Sequence, residues 1–110
     1  MDDMDQEYIQ IETTFASRED AEKMAERLLD KHLIACGQCF EIKSIYNWEG
    51  KRCKENEILL SVKTQAALYQ DCEKIIKKHH PYKLPQIVAV PYVNGSDEYF
   101  KWIKENTKRV

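Results

Sequence analysis

Residues Cys36–Lys63, CGQCFEIKSIYNWEGKRCKENEILLSVK, predict a long β-hairpin that sets the fold. A first strand runs over Cys36–Trp48, and Glu49–Lys51 form a turn in which glycine supplies the positive φ of a tight reversal. Glu57–Lys63 alternate apolar and polar residues as the second strand. At about 3.3 Å per residue the first strand spans roughly 43 Å, whereas the predicted first helix, of about 17 residues, spans only about 25 Å. The hairpin is therefore expected to extend beyond the body of its own domain.

The sequence before the hairpin predicts a strand and a helix behind an acidic tail. Residues 1–7 are expected to be flexible, and Tyr8–Phe15 alternate as the first strand. Ser17, followed three residues later by Asp20, resembles a capping box and starts a helix that apolar residues at helical spacing carry to about Leu33. The chain thus begins with a β–α unit.

The sequence after the hairpin predicts a second helix, a fourth strand and a terminal helix. Thr64 is predicted to cap the second helix, which ends at His79–His80, and Gln86–Val93 is predicted to be a strand that is apolar on both faces. Asn94–Ser96 then turn into the third helix. The inward face of that helix is predicted to contain Tyr99, Trp102 and Ile103. The order βαββαβ plus a C-terminal helix predicts an α+β, ferredoxin-like sandwich with a long hairpin, as a single domain over residues 1–110.

Composition and charge exclude several classes of function. The 110-residue chain has a net charge of −2 and a pI of about 5.9, and its lysines are scattered among acids, so no nucleic-acid partner is expected. No apolar run approaches the roughly 20 residues of a membrane span, and the acidic start lacks the features of a secretory signal. We therefore expect a cytoplasmic protein with four reduced cysteines and no membrane partner.

The end of the predicted hairpin carries Ile45, Tyr46 and Trp48. Aromatic side chains bury roughly 150–250 Å² each when covered, and large apolar patches are rarely left in water. Neighbouring subunits are expected to cover this end and to extend the sheet edge. In the alternative, the third helix folds back over the hairpin end.

Cys36-Gly37-Gln38-Cys39 has the spacing of a thiol–disulfide exchange motif in an unsuitable context. Such motifs lie at a helix N-terminus, where the dipole stabilises a thiolate, whereas this one opens a strand. In an extended chain the two Cα atoms are about 10 Å apart, and a disulfide needs about 7 Å or less. The sequence favours two small, half-buried thiols. It also lacks a nucleophile elbow, a phosphate-binding glycine loop and a His-Glu-x-x-His motif, so an enzyme is not expected.

Residues Lys78–Pro85, KHHPYKLP, place two histidines at a corner that prolines hold extended. One imidazole can complement the helix C-terminus, and the other can face a cleft. Imidazole is a good ligand for copper(II) and zinc(II). Glu57 and Lys63 share the polar face of their strand, where they are either solvated or, under a neighbouring subunit, able to hold a metal or an anion.

The chain resembles the CutA divalent-cation-tolerance family over about residues 8–107. The matching elements are Leu33–Cys36, Ser44-x-Tyr46-x-Trp48-x-Gly50, Glu57, Lys63-Thr64, His80–Pro85 and Tyr99-x-x-Trp102. The resemblance implies a cytoplasmic homotrimer, with strands paired across subunits, that is associated with tolerance to metal ions, notably copper(II). The family is similar in architecture to trimeric PII-type signalling proteins, so a small anionic effector held by Lys63 is the alternative ligand.

The resemblance also implies a metal site. The family site uses a cysteine near the end of strand one, a glutamate and a histidine, and these positions fall on Thr13, Glu57 and His80. Because threonine supplies no thiolate, we expect weak binding of copper(II) or another divalent metal, with no organic cofactor. The cleft and trimer contacts are assigned to Tyr46, Trp48, Lys63, Tyr82 and Trp102.

Overall fold

The computed structural model describes residues 6–110, so the first five residues of the predicted tail lie outside the described part. The tail does not extend to Glu7, because the Glu7 carbonyl accepts a hydrogen bond from the Ala66 N–H at 2.7 Å. None of the helices within residues 6–110 is long and apolar enough to cross a membrane. The elements of this range are β1 (Tyr8–Phe15), α1 (Arg18–Asp30), β2 (Cys36–Trp48), β3 (Lys51–Gln65), α2 (Tyr69–His79), β4 (Val88–Pro91) and α3 (Asp97–Glu105).

The strands form one antiparallel sheet in the order β2-β3-β1-β4, which confirms the predicted α+β, ferredoxin-like fold. Every second side chain of β1 and β3 points toward α1 and α2 and is buried with them. The core residues on this helix-covered face are Ile9, Ile11, Phe15, Ile58, Leu60 and Val62, packed with Ala21, Met24, Leu28, Cys72 and Ile76 from the helices. The other face of the sheet is here called the open face.

The hairpin extends past the body of the chain, as predicted. β1 pairs with β3 only as far as Phe15 opposite Ile58, so Lys51–Glu57 pair with β2 alone, over about 23 Å of strand. The turn is a two-residue type I′ reversal with positive φ at Glu49 (50°) and Gly50 (80°). This turn geometry matches the twist of the two strands and fixes their register.

The hairpin end is not covered by α3, so the alternative in which that helix folds back over it is wrong. Trp48 is 45% exposed and Ile45 is 59% exposed. The helix packs at the far end of the sheet, where Phe100 stacks on Tyr8 with ring centroids 4.5 Å apart. A single chain therefore leaves the aromatic hairpin end in water.

Two predicted boundaries of the hairpin region were wrong. β3 begins at Lys51 rather than Glu57, because its pairing with β2 continues to the turn even where apolar alternation stops. Thr64 does not cap α2; it pairs with Ile9 in the sheet and donates its hydroxyl to the Leu33 carbonyl at 2.6 Å. A single 3-10 turn, Ala66–Leu68, separates β3 from α2. Alternation locates buried strand residues, but cross-strand pairing sets the strand length.

The helix and strand ends elsewhere also differ from the prediction. α1 ends at Asp30, because His32 adopts a left-handed φ of 57° and the Leu33 N–H donates back to the Leu28 carbonyl, as in a Schellman motif. β4 is shorter than predicted because it pairs with β1 only from Ile9 to Glu12. Its apolar side chains are not buried within this chain.

The inward face of α3 was only partly predicted. Ile103 is fully buried, as expected, but Tyr99 and Trp102 are about two-fifths exposed, at 40% and 41%. A helix of nine residues buries a narrow stripe, here Ile103 with Phe100 beside it. Tyr99 and Trp102, three positions apart, stack on each other at 5.6 Å on the adjacent stripe.

Two buried threonines give a matched test of this packing. The Thr13 hydroxyl is buried without a hydrogen-bond partner within residues 6–110, whereas the equally buried Thr64 hydroxyl is bonded. We expect Thr13→Val to raise the free energy of unfolding by about 1 kcal/mol, because an unsatisfied buried hydroxyl is removed. Thr64→Val should lower it by about 1 kcal/mol. Urea unfolding at one protein concentration measures both, and equal losses in the two variants would contradict the assignment.

Candidate functional site

A pocket of about 750 Å³ lies where the hairpin leaves the body of the chain. One wall is the overhanging hairpin and the other is the loop that follows α2. The lining residues are Thr14, Ser44, Ile45, Tyr46, Trp48, Glu55, Glu57, Pro81, Tyr82, Lys83, Leu84 and Gln86. The hairpin overhang and the proline-held corner, the two places that the sequence singled out, thus meet at one cleft.

His80 fixes the corner against the sheet. Its Nδ1 accepts a hydrogen bond from the Tyr82 N–H at 3.1 Å, so the ring proton lies on Nε2, which donates to the Thr14 carbonyl at 2.9 Å. The ring also stacks on Phe15 with centroids 4.3 Å apart. Burial lowers the pKa of the imidazole, although the Thr14 carbonyl and nearby acids oppose that shift. His80 is therefore neutral near pH 7, and both nitrogens are engaged.

Glu57 is the buried carboxylate of the cleft, with only 9% of its surface exposed. The Tyr82 hydroxyl donates to its Oε2 at 2.7 Å, and the Tyr46 hydroxyl donates in the same way to the neighbouring Glu55. Burial, followed by the hydrogen bond to Glu57 and the charges of nearby acids, raises the pKa of Tyr82 well above its usual range. The cleft therefore has a negative potential at its inner end.

Thr13 does not join this cleft. Side chains alternate along β1, so Thr13 points with Ile11 and Phe15 into the helix-covered core. Glu57 precedes the core residue Ile58 and points to the open face. The neighbouring Thr14 has the orientation that was expected of Thr13, and it lines the pocket.

Lys63 and Trp102 were also expected at the cleft, but they lie near the other end of the sheet. Lys63 is six residues from Glu57 along β3, or about 20 Å. Its ammonium donates to Gln38 at 2.7 Å and lies 5.9 Å from the Tyr92 ring centroid. Trp102 belongs to α3 and stacks on Tyr99 of the same helix. Of the five predicted contact residues, the structure brings only Tyr46, Trp48 and Tyr82 together at the pocket.

The thiols are not arranged for redox chemistry. Cys36 pairs with Lys63 and Cys39 with Leu60 within β2–β3, so the two thiols point to opposite faces, and both are unpaired. Burial and the nearby Glu22 raise the pKa of the Cys39 thiol, which disfavours the reactive thiolate. These contacts agree with the prediction that Cys36 and Cys39 are small, half-buried residues.

Sequence reasoning missed Glu55 and Thr14. Strand alternation could have found Glu55, because it lies two residues from Glu57 and so shares its face. The same rule applied to β1 would have selected Thr14 rather than Thr13. Within residues 6–110, no three His, Cys, Asp or Glu side chains are grouped closely enough to hold a metal by themselves. The cleft of one chain thus supplies the carboxylates of Glu55 and Glu57, and the His80 imidazole beside them is hydrogen-bonded at both nitrogens.

His80 should make stability depend on pH. Its pKa in the folded chain is lower than the unfolded value of about 6.5, so the unfolded state binds more protons as the pH falls. Its stabilising contribution is complete above about pH 6.5 and is lost as the pH falls through the folded pKa. We expect the free energy of unfolding to fall from pH 7 toward pH 5, and less steeply in His80→Gln. His32→Asn is the control, because it removes an exposed imidazole at a left-handed backbone position that asparagine also adopts; an equal change of slope in both variants would contradict this role.

Known proteins match the chain in sequence and in structure. The sequence model of the family "CutA1 divalent ion tolerance protein" matches residues 9–106. The divalent-cation tolerance protein CutA of Pyrococcus horikoshii is 37% identical over 97 residues, which cover 88% of this chain and 95% of that protein. The CutA of Thermus thermophilus is 38% identical over 95 residues, covering 86% and 92%. The crystal structure of CutA1 from Ehrlichia chaffeensis has a TM-score of 0.89 at 30% identity and covers 96% of this chain and 99% of that chain.

The matched range includes the hairpin, the proline corner and every residue of the cleft. Sequence and architecture agree over nearly the whole chain, as the resemblance of its motifs predicted. The chain belongs to the CutA family of divalent-cation tolerance proteins.

Proposed function

We propose that the protein acts in tolerance of divalent cations, copper(II) among them, as a cytoplasmic homotrimer that binds the metal weakly at the cleft. The observation that carries the metal part is the acidic, tyrosine-lined cleft beside a neutral histidine. The exposed hairpin end supports the assembly. The proposal concerns binding and includes no catalytic step.

The trimer is supported by apolar surface that one chain leaves in water. Phe40, Val88 and Val90 lie on the open face and are all more than two-fifths exposed, as are Trp48 and Ile45 at the hairpin end. β2 is an edge strand of the sheet and pairs with no other strand on its outer side within residues 6–110. The backbone N–H and C=O groups on that side are therefore available to a strand of another chain. Sister chains that pair with this edge would cover the open face and close the mouth of the cleft.

The residues present fit a hard or intermediate divalent cation. Glu57 offers a buried carboxylate oxygen, and Glu55 lies beside it. His80 can supply its neutral Nδ1 only by releasing the Tyr82 N–H, which costs a hydrogen bond. With no thiolate at Thr13 or Thr14, weak binding through oxygen and nitrogen ligands is the expected outcome.

An anionic effector in the cleft is not supported by the charges. Two carboxylates and one ammonium, that of Lys83, line the pocket. Lys63, which was expected to hold the anion, is bonded to Gln38 away from the cleft. The potential that would attract a metal cation would repel a metabolite anion.

The cytoplasmic location is supported by the thiols. Cys36, Cys39, Cys53 and Cys72 are all unpaired, and two of them are separated by strand geometry that prevents a disulfide. Relatives carry other locations in their names: one from Arabidopsis thaliana is called chloroplastic, and a structure from Archaeoglobus fulgidus is called periplasmic. Trapping free thiols in intact cells tests the location, and disulfide-linked chains would count against it.

The assembly can be tested at the hairpin end. Light scattering coupled to size exclusion should give three times the 13.0 kDa mass of the chain. Ile45→Glu should shift the protein toward a 13.0 kDa species, because it places a charge in the buried contact. Lys74→Glu, on the exposed surface of α2, is the control for an added acid and should leave the mass unchanged. A wild-type protein that stays at the mass of one chain would refute the trimer.

The metal site can be tested by calorimetry with copper(II). Glu57→Gln should weaken binding by about tenfold or more, because an amide cannot replace a buried anionic ligand. Glu41→Gln removes a carboxylate that is 81% exposed and outside the pocket, and it should bind as the wild type does. Equal affinities in the wild type and in Glu57→Gln would remove Glu57 from the site.

A further inference from the structure

The cleft is far larger than one metal ion needs. Pockets of about 300–1,000 Å³ with apolar walls and a few convergent polar groups are typical sites for small organic molecules. This pocket has a volume of about 750 Å³. Apolar and aromatic side chains provide most of its walls, with Ile45 and Trp48 on the hairpin and Pro81, Tyr82 and Leu84 in the opposite loop. A bound ion would contact only a small part of these walls.

One carboxylate oxygen at the inner end of the cleft has no hydrogen-bond donor within residues 6–110. Glu57 is nine-tenths buried and its Oε2 accepts from Tyr82, but its Oε1 accepts from no donor within residues 6–110. Oε1 is not sealed in the protein, since it is absent from the fully enclosed, unpartnered atoms of that range. Buried carboxylate oxygens nearly always have a donor, and a cationic N–H forms the strongest such bond. A cationic N–H group inside the pocket would therefore form the strongest hydrogen bond open to Glu57 Oε1.

The aromatic lining favours the same charge. Trp48, Tyr46 and Tyr82 line the cleft, and the faces of such rings attract an organic ammonium. The hydroxyls of both tyrosines are bonded to carboxylates, which holds the rings in place. Lys83, the cation among the lining residues, has an exposed side chain at the rim. The volume of the pocket, the free acceptor at Glu57 Oε1 and the aromatic rings thus all favour an organic cation as the ligand.

We propose that the cleft binds a primary amine in its ammonium form, with an apolar or aromatic tail. The ammonium donates to Glu57 Oε1, and the tail lies against Trp48 and Leu84. The inference rests on the proposed function in one respect, because neighbouring chains at the hairpin end would close the pocket mouth. It differs from that function in the ligand, which is an organic cation rather than a metal.

Three probes that share a phenylethyl group and differ in charge test the proposal on the wild-type protein. They are 2-phenylethylammonium, the neutral 2-phenylethanol and the anionic 3-phenylpropanoate. The ammonium is expected to bind about tenfold or more tightly than the alcohol, because a charge-assisted hydrogen bond is the stronger one, and the anion most weakly. Equal binding of ammonium and alcohol, or tighter binding of the anion, would overturn the proposal.

The position of the probe can be read from Trp48. Of the two tryptophans, Trp102 lies outside the cleft, so Trp102→Phe leaves Trp48 as the only indole fluorophore. The ammonium should change the fluorescence of this variant in a saturable way. In that background Glu57→Gln should remove the tenfold preference for the ammonium, while Glu41→Gln should keep it. An unchanged preference in Glu57→Gln would overturn the proposal, and if that variant does not fold, the wild-type comparison of the three probes still decides.

The proposals of amine binding and of metal binding can be refuted independently of each other. Calorimetry with copper(II) and with 2-phenylethylammonium is run on the same wild-type sample. Amine binding without copper binding would refute the proposed metal function and support this inference. Copper binding without a preference for the ammonium over 2-phenylethanol would refute this inference alone.

Discussion

The pairing of β2 with β3 is the constraint on which the rest of the structure depends. The register runs from Cys36 opposite Lys63 to Trp48 opposite Lys51, and the type I′ turn at Glu49 and Gly50 fixes it. A slip of one residue would move every side chain to the other face. Glu57 would then point toward the helices, and the core residue Ile58 would enter the cleft. Fold and site therefore share one determinant.

The second determinant is the corner at His80. This side chain ties the end of α2 to the Thr14 carbonyl and holds the Tyr82 N–H, so the loop reaches across to Glu57. A histidine at a helix end suggests a ligand when it is read in isolation. In the folded chain His80 has first a structural role, since its imidazole is neutral, stacks on Phe15 and is hydrogen-bonded at both nitrogens.

Much of the fold could be predicted from the sequence, because alternation and helical spacing report burial directly. The bounds of β1 and β2 and the overhang follow from local patterns. The error at Thr64 arose because contacts outside the local pattern, with Ile9 and Leu33, hold it in the sheet. Thr13 was selected from the family resemblance, although alternation along β1 places it in the core and Thr14 at the cleft. Which residues share a cleft depends on long-range register. Lys63 and Glu57 share one face of β3, as predicted, but six residues of strand separate them by about 20 Å, and the pocket of this chain contains only Glu57.

The exposed hairpin also affects how the protein is made. An unassembled chain carries a long ribbon with an open backbone edge and three large apolar residues at its end. The unpaired backbone groups of such an edge can hydrogen-bond to a strand of any other chain. Correct assembly therefore competes with aggregation in newly synthesised chains. The polar tract Lys51–Glu57, rich in lysine and glutamate, opposes that reaction on one of the two strands. Rapid overproduction should therefore lower the soluble yield of this chain long before its folded stability becomes limiting.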